Sequence, residues 1–265
     1  MSALRIENLT IRFGERTVVD GLTFGMDHGE RVGIIGESGS GKTMTALAVL
    51  DLLPPGARVQ GGVLMDEQLL PLGNDAAMSR FRGSRMAMVF QEPLTALNPL
   101  MPVWKQIAIP LTLHTNCTRT EARSRAAEWC ARVGLPEHAA TAYPHQLSGG
   151  QRQRVGIAIA LCGNPQVLIA DEPTSALDVT VQREILDLLD RIANETGTAL
   201  IFISHDLAVV KAMTDRVLVM QGGLLVEQGM TNDVFDDPRH AYTQKLVSSA
   251  KRSSMALRQL TGEMT

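Results

Sequence analysis

The string Gly36-Glu37-Ser38-Gly39-Ser40-Gly41-Lys42-Thr43 constrains the fold more than any other stretch of this chain. Before it, Val32, Ile34 and Ile35 read as a buried strand. After it, Ala46, Leu47, Leu50 and Leu53 recur at spacings of three and four, which predicts a helix over residues 43–53. The chain must turn sharply from strand to helix across the glycines, in the pattern G-x-x-x-x-G-K-[ST]. Glycine admits backbone conformations closed to other residues and lets amide N–H groups approach an anion. The helix start adds unpaired donors and the positive end of its dipole. Residues 36–43 therefore read as a phosphate cradle, with Lys42 reaching the β- and γ-phosphates and Thr43 offering its hydroxyl to Mg²⁺.

A phosphate loop alone leaves several reaction classes open, so the carboxylates downstream matter. Asp171 ends the apolar run Val167-Leu168-Ile169-Ala170, and a carboxylate at the tip of a buried strand is placed to hold Mg²⁺. Glu172 follows it, points elsewhere and is the candidate general base for an attacking water. His205 leaves a second apolar strand, 200–203, near the edge where such sheets bind ligands. Gln91 likewise leaves the strand 86–90 with an uncharged amide for water or Mg²⁺. Ser148 precedes a run of helical periodicity through Val155 and Ile159 and reads as an N-cap. Gly149 and Gly150 then expose helix-start amides, a second anion site on a different element.

These motifs occur in an order that resembles the nucleotide-binding subunit of an ABC transporter, over residues of about 4–247. The resemblance implies a P-loop NTPase: an α/β fold with a mostly parallel sheet, a small antiparallel β layer and an inserted helical subdomain. It also implies roles. Leu147-Ser148-Gly149-Gly150-Gln151 is similar to the family signature, Gln91 to the Q-loop glutamine, Ser175-Ala176-Leu177-Asp178 to the D-loop and His205 to the switch histidine. Phe13 resembles the aromatic that stacks on adenine, and reads equally well as a core aromatic. In that family two such domains sandwich two ATP molecules, each held by one domain's P-loop and the other's signature, and hydrolysis requires Mg²⁺.

The expected organisation is one ABC ATPase domain. Residues 1–90 and 156–247 form its nucleotide-binding core, 91–155 the helical subdomain and 248–265 a tail. Strand-like alternation over 4–13 and 22–26, around Gly14-Glu15, predicts the antiparallel layer. Ala122, Ala126, Trp129 and Val133 share related faces of a helix over 119–133. Strands at 167–170 and 199–203, joined by a helix over 181–195 that stops near Gly197, continue a parallel sheet. Residues 217–220 and 224–227 read as a hairpin around Gly222-Gly223.

Composition excludes other classes. A net charge of −3 gives no basic footprint for nucleic acid. No apolar span of eighteen residues appears, and Arg5, Glu7 and Asn8 do not fit a signal peptide, so the expected place is the cytoplasmic face of the membrane, reached through partners. Cys117, Cys130 and Cys162 lack metal-ligand spacing and read as reduced structural thiols.

Between the motifs, the 91–99 segment, Tyr143-Pro144-His145-Gln146 and the tail around His240-Ala241-Tyr242-Thr243 resemble the peptide and nickel importer subfamily, with Ala241 where proline is commoner. Oligopeptide or dipeptide cargo and nickel or metal-chelate cargo both fit. The implied partners are a second ATPase subunit, a paralogue in preference to an identical chain, two transmembrane permease subunits and an extracytoplasmic substrate-binding protein. Pro93, Leu94, Leu97, Pro99, Leu100, Pro102 and Trp104 form an apolar stretch, part of which is expected to dock a short helix of a membrane subunit. ABC-type ATPases of DNA repair, translation factors and regulatory sensors are the alternatives. They fit less well because no sustained heptad run occurs, only one P-loop is present, and Lys42, Asp171, Glu172 and His205 are intact.

Overall fold

The computed structural model describes residues 2–91, 96–175 and 177–261, and the side chains up to residue 252. Pro93, Leu94, Ala176 and the end of the tail lie outside the described residues. Two sheets organise the chain. The smaller is antiparallel in the order β2-β1-β4-β5, from β1 (Ser2–Phe13), β2 (Arg16–Asp27), β4 (Ala57–Met65) and β5 (Gln68–Leu69). The larger runs β10-β9-β3-β8-β7-β6, from β3 (Arg31–Ile35), β6 (Met86–Val89), β7 (Val167–Asp171), β8 (Ala199–Ile203), β9 (Arg216–Gln221) and β10 (Leu224–Met230). All its pairings are parallel except the β9–β10 hairpin.

Alternation along these short strands divides the core. Val32, Ile34, Val167, Ile169, Ile201 and Leu218 belong to one buried cluster, shared with Leu4, Ile6, Leu22 and Phe24 of the small sheet and Ala46 and Val49 of the helix after the P-loop. Their neighbours Ile35, Leu168, Ala170, Leu200, Phe202 and Val219 belong to the other cluster, shared with Ile107, Trp129, Val155, Ile185 and Leu188 of the helices. A parallel sheet covered on both faces needs apolar residues at successive positions, which is why β7 and β8 read as unbroken apolar runs.

Helix ends follow local chemistry. The helix after the P-loop spans Lys42–Val49, shorter than the expected 43–53. Asp51 takes φ 54° and Leu52 N–H bonds back to Leu47 C=O at 2.8 Å, a Schellman-type closure ahead of Pro54 and Pro55. The Val179–Thr196 helix starts at Asp178, whose side chain accepts from Val181 N–H at 3.0 Å, and ends at Gly197 with φ 65°. Its buried Ile185, Leu188, Leu189 and Ile192 mark one face.

In the helical segment, Arg119–Arg132 buries Ala122, Ala126 and Trp129 as expected. The preceding helix, Val103–His114, falls in the segment expected to be helical, though its bounds were not read from the sequence, and it carries Pro110 in its interior. Of the apolar stretch near Gln91, Leu97 is only 4 % exposed and Trp104 packs on the core, whereas Leu100 is 84 % exposed. Leu97 is thus largely interior, and its remaining surface borders a small groove beside Phe90, Ala96 and Ile159. The helix Gly149–Leu161 runs unbroken across residues 155 and 156, where a subdomain boundary was expected.

Candidate functional site: a phosphate loop facing two carboxylates

Sheet register assembles the site. Ile34 lies opposite Ile203, Asp171 opposite Ile203 on the other side of β8, and Val89 opposite Ala170. The residues that follow these pairs, from the P-loop, Glu172, His205 and Gln91, therefore emerge together at the carboxyl edge of the parallel strands, where open α/β sheets bind ligands. They line one cleft of about 510 Å³, with Phe13, Ser38, Gly39, Gly41, Lys42, Thr43 and Asp171. Phe13 contacts the core of the small sheet and also borders this cleft, so the two readings of it coexist.

The loop is held by close approaches that only glycine allows. A Cβ on Gly36, at φ 152°, would stand 2.2 Å from Met220 C=O. One on Gly41, at φ 104°, would stand 2.9 Å from Val18 C=O. Lys42 is 9 % exposed, and its Nζ donates to Gly36 C=O at 2.8 Å and Glu37 C=O at 2.9 Å. Burial lowers its pKa, while the charges of Glu172 and Asp171 act to raise it.

Asp171 is 2 % exposed. Burial pushes its carboxyl above the usual range, against the opposing pull of the Thr43 hydroxyl beside it; the Glu172 charge adds to the rise and Lys42 opposes it. Its Oδ1 is buried without a hydrogen-bond partner. An orphaned carboxylate oxygen beside a threonine hydroxyl is a hard-oxygen donor set of the kind that Mg²⁺ uses together with phosphate oxygens. The residues present fit that ion. Among the described residues no group of three or more His, Cys, Asp or Glu could hold a metal by itself.

Glu172 takes φ 48°, a backbone conformation uncommon outside glycine, and its N–H bonds to Ile203 C=O at 2.9 Å. This turns its side chain toward His205, whose Nδ1 lies 2.8 Å and 2.7 Å from the two carboxylate oxygens. The pair joins a candidate base to an imidazole at the open face of the cleft.

The remaining expected residues gather elsewhere. Ser148 caps the Gly149–Leu161 helix: its Oγ accepts from Gln151 N–H at 3.3 Å, and Gln151 Oε1 accepts from Ser148 N–H at 3.0 Å. The cap packs against the next helix, since a Cβ on Gly150 would meet Val181 Cγ1 at 2.6 Å. Ser148, Gly149 and Asp178 are exposed. None of Ser148, Gly149, Gly150, Gln151 and Asp178 lines the P-loop cleft. Arg16, Val18 and Met44 do border it and were not foreseen. The antiparallel pairing of Phe13 with Arg16 was the available signal for the first of them.

Comparison with known proteins identifies the chain's relatives. Residues 19–175 match the ABC transporter family. The chain is 45% identical over 255 residues to the oligopeptide transport ATP-binding protein OppD of Bacillus subtilis (strain 168), covering 93% of this chain and 71% of that one. It is 46% identical to the peptidoglycan transport ATP-binding protein YejF of Agrobacterium fabrum (strain C58 / ATCC 33970), over 93% of this chain and 46% of that one. It is 45% identical to the glutathione import ATP-binding protein GsiA of Escherichia coli (strain K12), over 94% of this chain and 42% of that one. The chain thus spans less than half the length of the last two. Among solved structures, the ATP-binding cassette MJ0796 in a dimeric post-hydrolysis state bound to ADP and Pi superposes with a TM-score of 0.77 at 30% identity, over 86% of this chain and 98% of that one. The match over residues 19–175 and the 45% identity to OppD along 93% of the chain show that this protein belongs to the ABC transporter family.

Proposed function

We propose that the chain is the ATP-hydrolysing subunit of an importer, powering uptake through partner membrane subunits. One observation carries the reading: the P-loop, Gln91, Asp171, Glu172 and His205 converge on a single cleft. In this reading residues 36–43 cradle the phosphates, and Lys42 exchanges its loop carbonyls for phosphate oxygens. Thr43 and Asp171, with Gln91 at the same edge, would hold Mg²⁺, which supplies neutralisation of charge on the phosphate oxygens. Glu172 takes a proton from the attacking water, and His205 orients Glu172 and senses the terminal phosphate.

The signature cap is solvent-facing at Ser148 and Gly149 and does not line its own P-loop cleft, which supports a role toward ATP held by a second ATPase subunit. That mate is a paralogue or an identical chain. Among the described residues no helix is long and apolar enough to cross a membrane, so attachment to the cytoplasmic face through two permease subunits is part of the proposal. A groove near Gln91, lined by Phe90, Ala96, Leu97, Gln153, Gly156 and Ile159, is the proposed seat for a permease helix. The proposed architecture keeps residues 1–90 and 156–247 as core, 91–155 as helical subdomain and 248–265 as tail.

The names of OppD, YejF and GsiA support peptide-like cargo, and its delivery by an extracytoplasmic binding protein is part of the proposal. The test is uptake of labelled oligopeptide into cells that express the complete transporter. Uptake abolished by Lys42→Ala supports the proposal, and uptake indifferent to that change overturns it. Uptake of nickel in place of peptide would shift the cargo to the second class.

A further inference from the structure

The C-terminal segment reaches back to the phosphate loop. Glu37 N–H donates to the Tyr242 hydroxyl oxygen at 2.8 Å, across more than two hundred residues of sequence. This N–H belongs to the same peptide unit as Gly36 C=O, which accepts from Lys42 Nζ at 2.8 Å. In a trans peptide the carbonyl and the N–H point in opposite directions. The Gly36–Glu37 plane is therefore gripped from two sides, by the lysine that binds phosphate and by a tyrosine that does not line the cleft.

Tyr242 is itself fixed. It is 7 % exposed and packs in the same apolar cluster as Phe235 and Val247. The turn before it is pinned to β10: Glu227 accepts from Arg239 N–H at 2.8 Å and from His240 N–H at 3.0 Å. His240 Nδ1 then accepts from Tyr242 N–H at 3.2 Å. Burial keeps the phenol above its ordinary pKa, so a neutral hydroxyl faces the loop. The hairpin that carries Glu227 touches the loop as well, through Gly223 N–H to Ser40 C=O at 3.2 Å.

We propose that Tyr242 is a positioning residue for ATP binding: its hydroxyl holds the Gly36–Glu37 peptide plane so that the loop keeps its shape when Lys42 leaves its carbonyls for a phosphate. When nucleotide enters, the lysine side of the grip is released and the tyrosine side remains. The loop then starts preorganised and loses less freedom on binding. The inference rests on the P-loop being the ATP site.

The test compares the full chain with Tyr242→Phe, which keeps the ring and its packing and removes only the hydroxyl. In the nucleotide-free protein, hydrogen–deuterium exchange over the peptide containing Glu37 should quicken. ATP affinity should fall about five- to ten-fold, the effect of one lost buried hydrogen bond. Turnover at saturating ATP should stay within about two-fold, because the groups that touch the reacting atoms are unaltered. Unchanged loop exchange together with unchanged ATP affinity overturns the inference. So does a parallel fall in affinity, saturated turnover and thermal midpoint, which would mark Tyr242 as a general packing residue. Faster loop exchange in a chain whose parent binds no ATP would leave the grip in place and remove its role in ATP binding, and that result traces to the site reading.

Discussion

Glu172 and His205 meet across β7 and β8, the imidazole Nδ1 within 2.8 Å of both carboxylate oxygens. The carboxylate that would accept a proton from water is thus held by the imidazole. Glu172→Gln retains hydrogen-bonding groups toward His205 and loses basicity. ATP affinity should be nearly unchanged while hydrolysis falls by ~10² to 10⁴-fold, the usual range for general-base assistance. Equilibrium binding and phosphate release measure the two separately, and normal turnover would remove Glu172 from the role of base.

Asp171 gives a pH prediction. Its carboxyl is raised above the ordinary value of 3.8, chiefly by burial, so between that value and the folded one the native state holds more proton than the unfolded chain. This group's contribution to stability therefore falls as pH rises through the window and is constant above it. In Asp171→Asn that loss is gone. The variant's thermal midpoint relative to the parent should climb from about pH 4 upward and then level off, by ~3 °C for each ~1 kcal/mol regained. Thermal melts without nucleotide across pH check this, and a relative midpoint that declines over the window would contradict it. Activity with Mg²⁺ and ATP should be lost in the same variant.

Ser148 tests the assembly. Ser148→Arg removes an N-cap, at ~1 kcal/mol, and sets a cation against the positive end of the helix dipole. The chain should stay folded and bind ATP, yet form no ATP-dependent dimer in the Glu172→Gln background. Light scattering with the mate subunit present is the measurement. A dimer of undiminished yield would show that the cap does not meet the partner's nucleotide.

Gly150 tests the seat of that cap. A methyl added there would come within 2.6 Å of Val181 Cγ1, so Gly150→Ala should cost ~1 to 3 kcal/mol through overpacking. Val181→Ala should recover most of that loss in the double variant. Denaturant unfolding of the single and double variants measures the coupling, and additive effects would mean that the two residues do not share a contact.

The thiols should differ sharply in reactivity. Burial pushes Cys130 up to about 11 and Cys162 to about 12, which leaves ~10⁻³ and ~10⁻⁴ as thiolate at pH 8. Cys117 is only half-buried. Iodoacetamide at pH 8 should label Cys117 in the native protein and reach the other two only on unfolding, as read by mass spectrometry.

Much of this was legible because periodicity and glycine placement are local. The runs at 167–170 and 199–203 announced strands buried on both faces, and Gly197 announced a helix end. The helix after the P-loop was overdrawn because Leu50 and Leu53 keep the apolar rhythm while the backbone already reverses at Asp51. The bounds of the helix Val103–His114 were not legible because Pro110 stands in its interior, where a proline ordinarily ends a helix. Which residues of the apolar stretch near Gln91 turn inward, as Leu97 does, and which turn outward, as Leu100 does, was not legible because apolar residues near prolines give no sign of which way they face. The partnership of Glu37 with Tyr242 had no sequence signal: it depends on where the last helix is carried by the hairpin before it.

The pairing of Asp171 with Ile203 places the candidate base and its imidazole by counting residues along two ladders of backbone hydrogen bonds. A shift of β7 against β8 by one position would turn every side chain to the opposite face and part Glu172 from His205. The apolar identities of Val167, Leu168, Ile201 and Phe202 can vary within the volume they fill. Their number cannot, so these two strands should accept exchanges of residue far more readily than a single insertion or deletion.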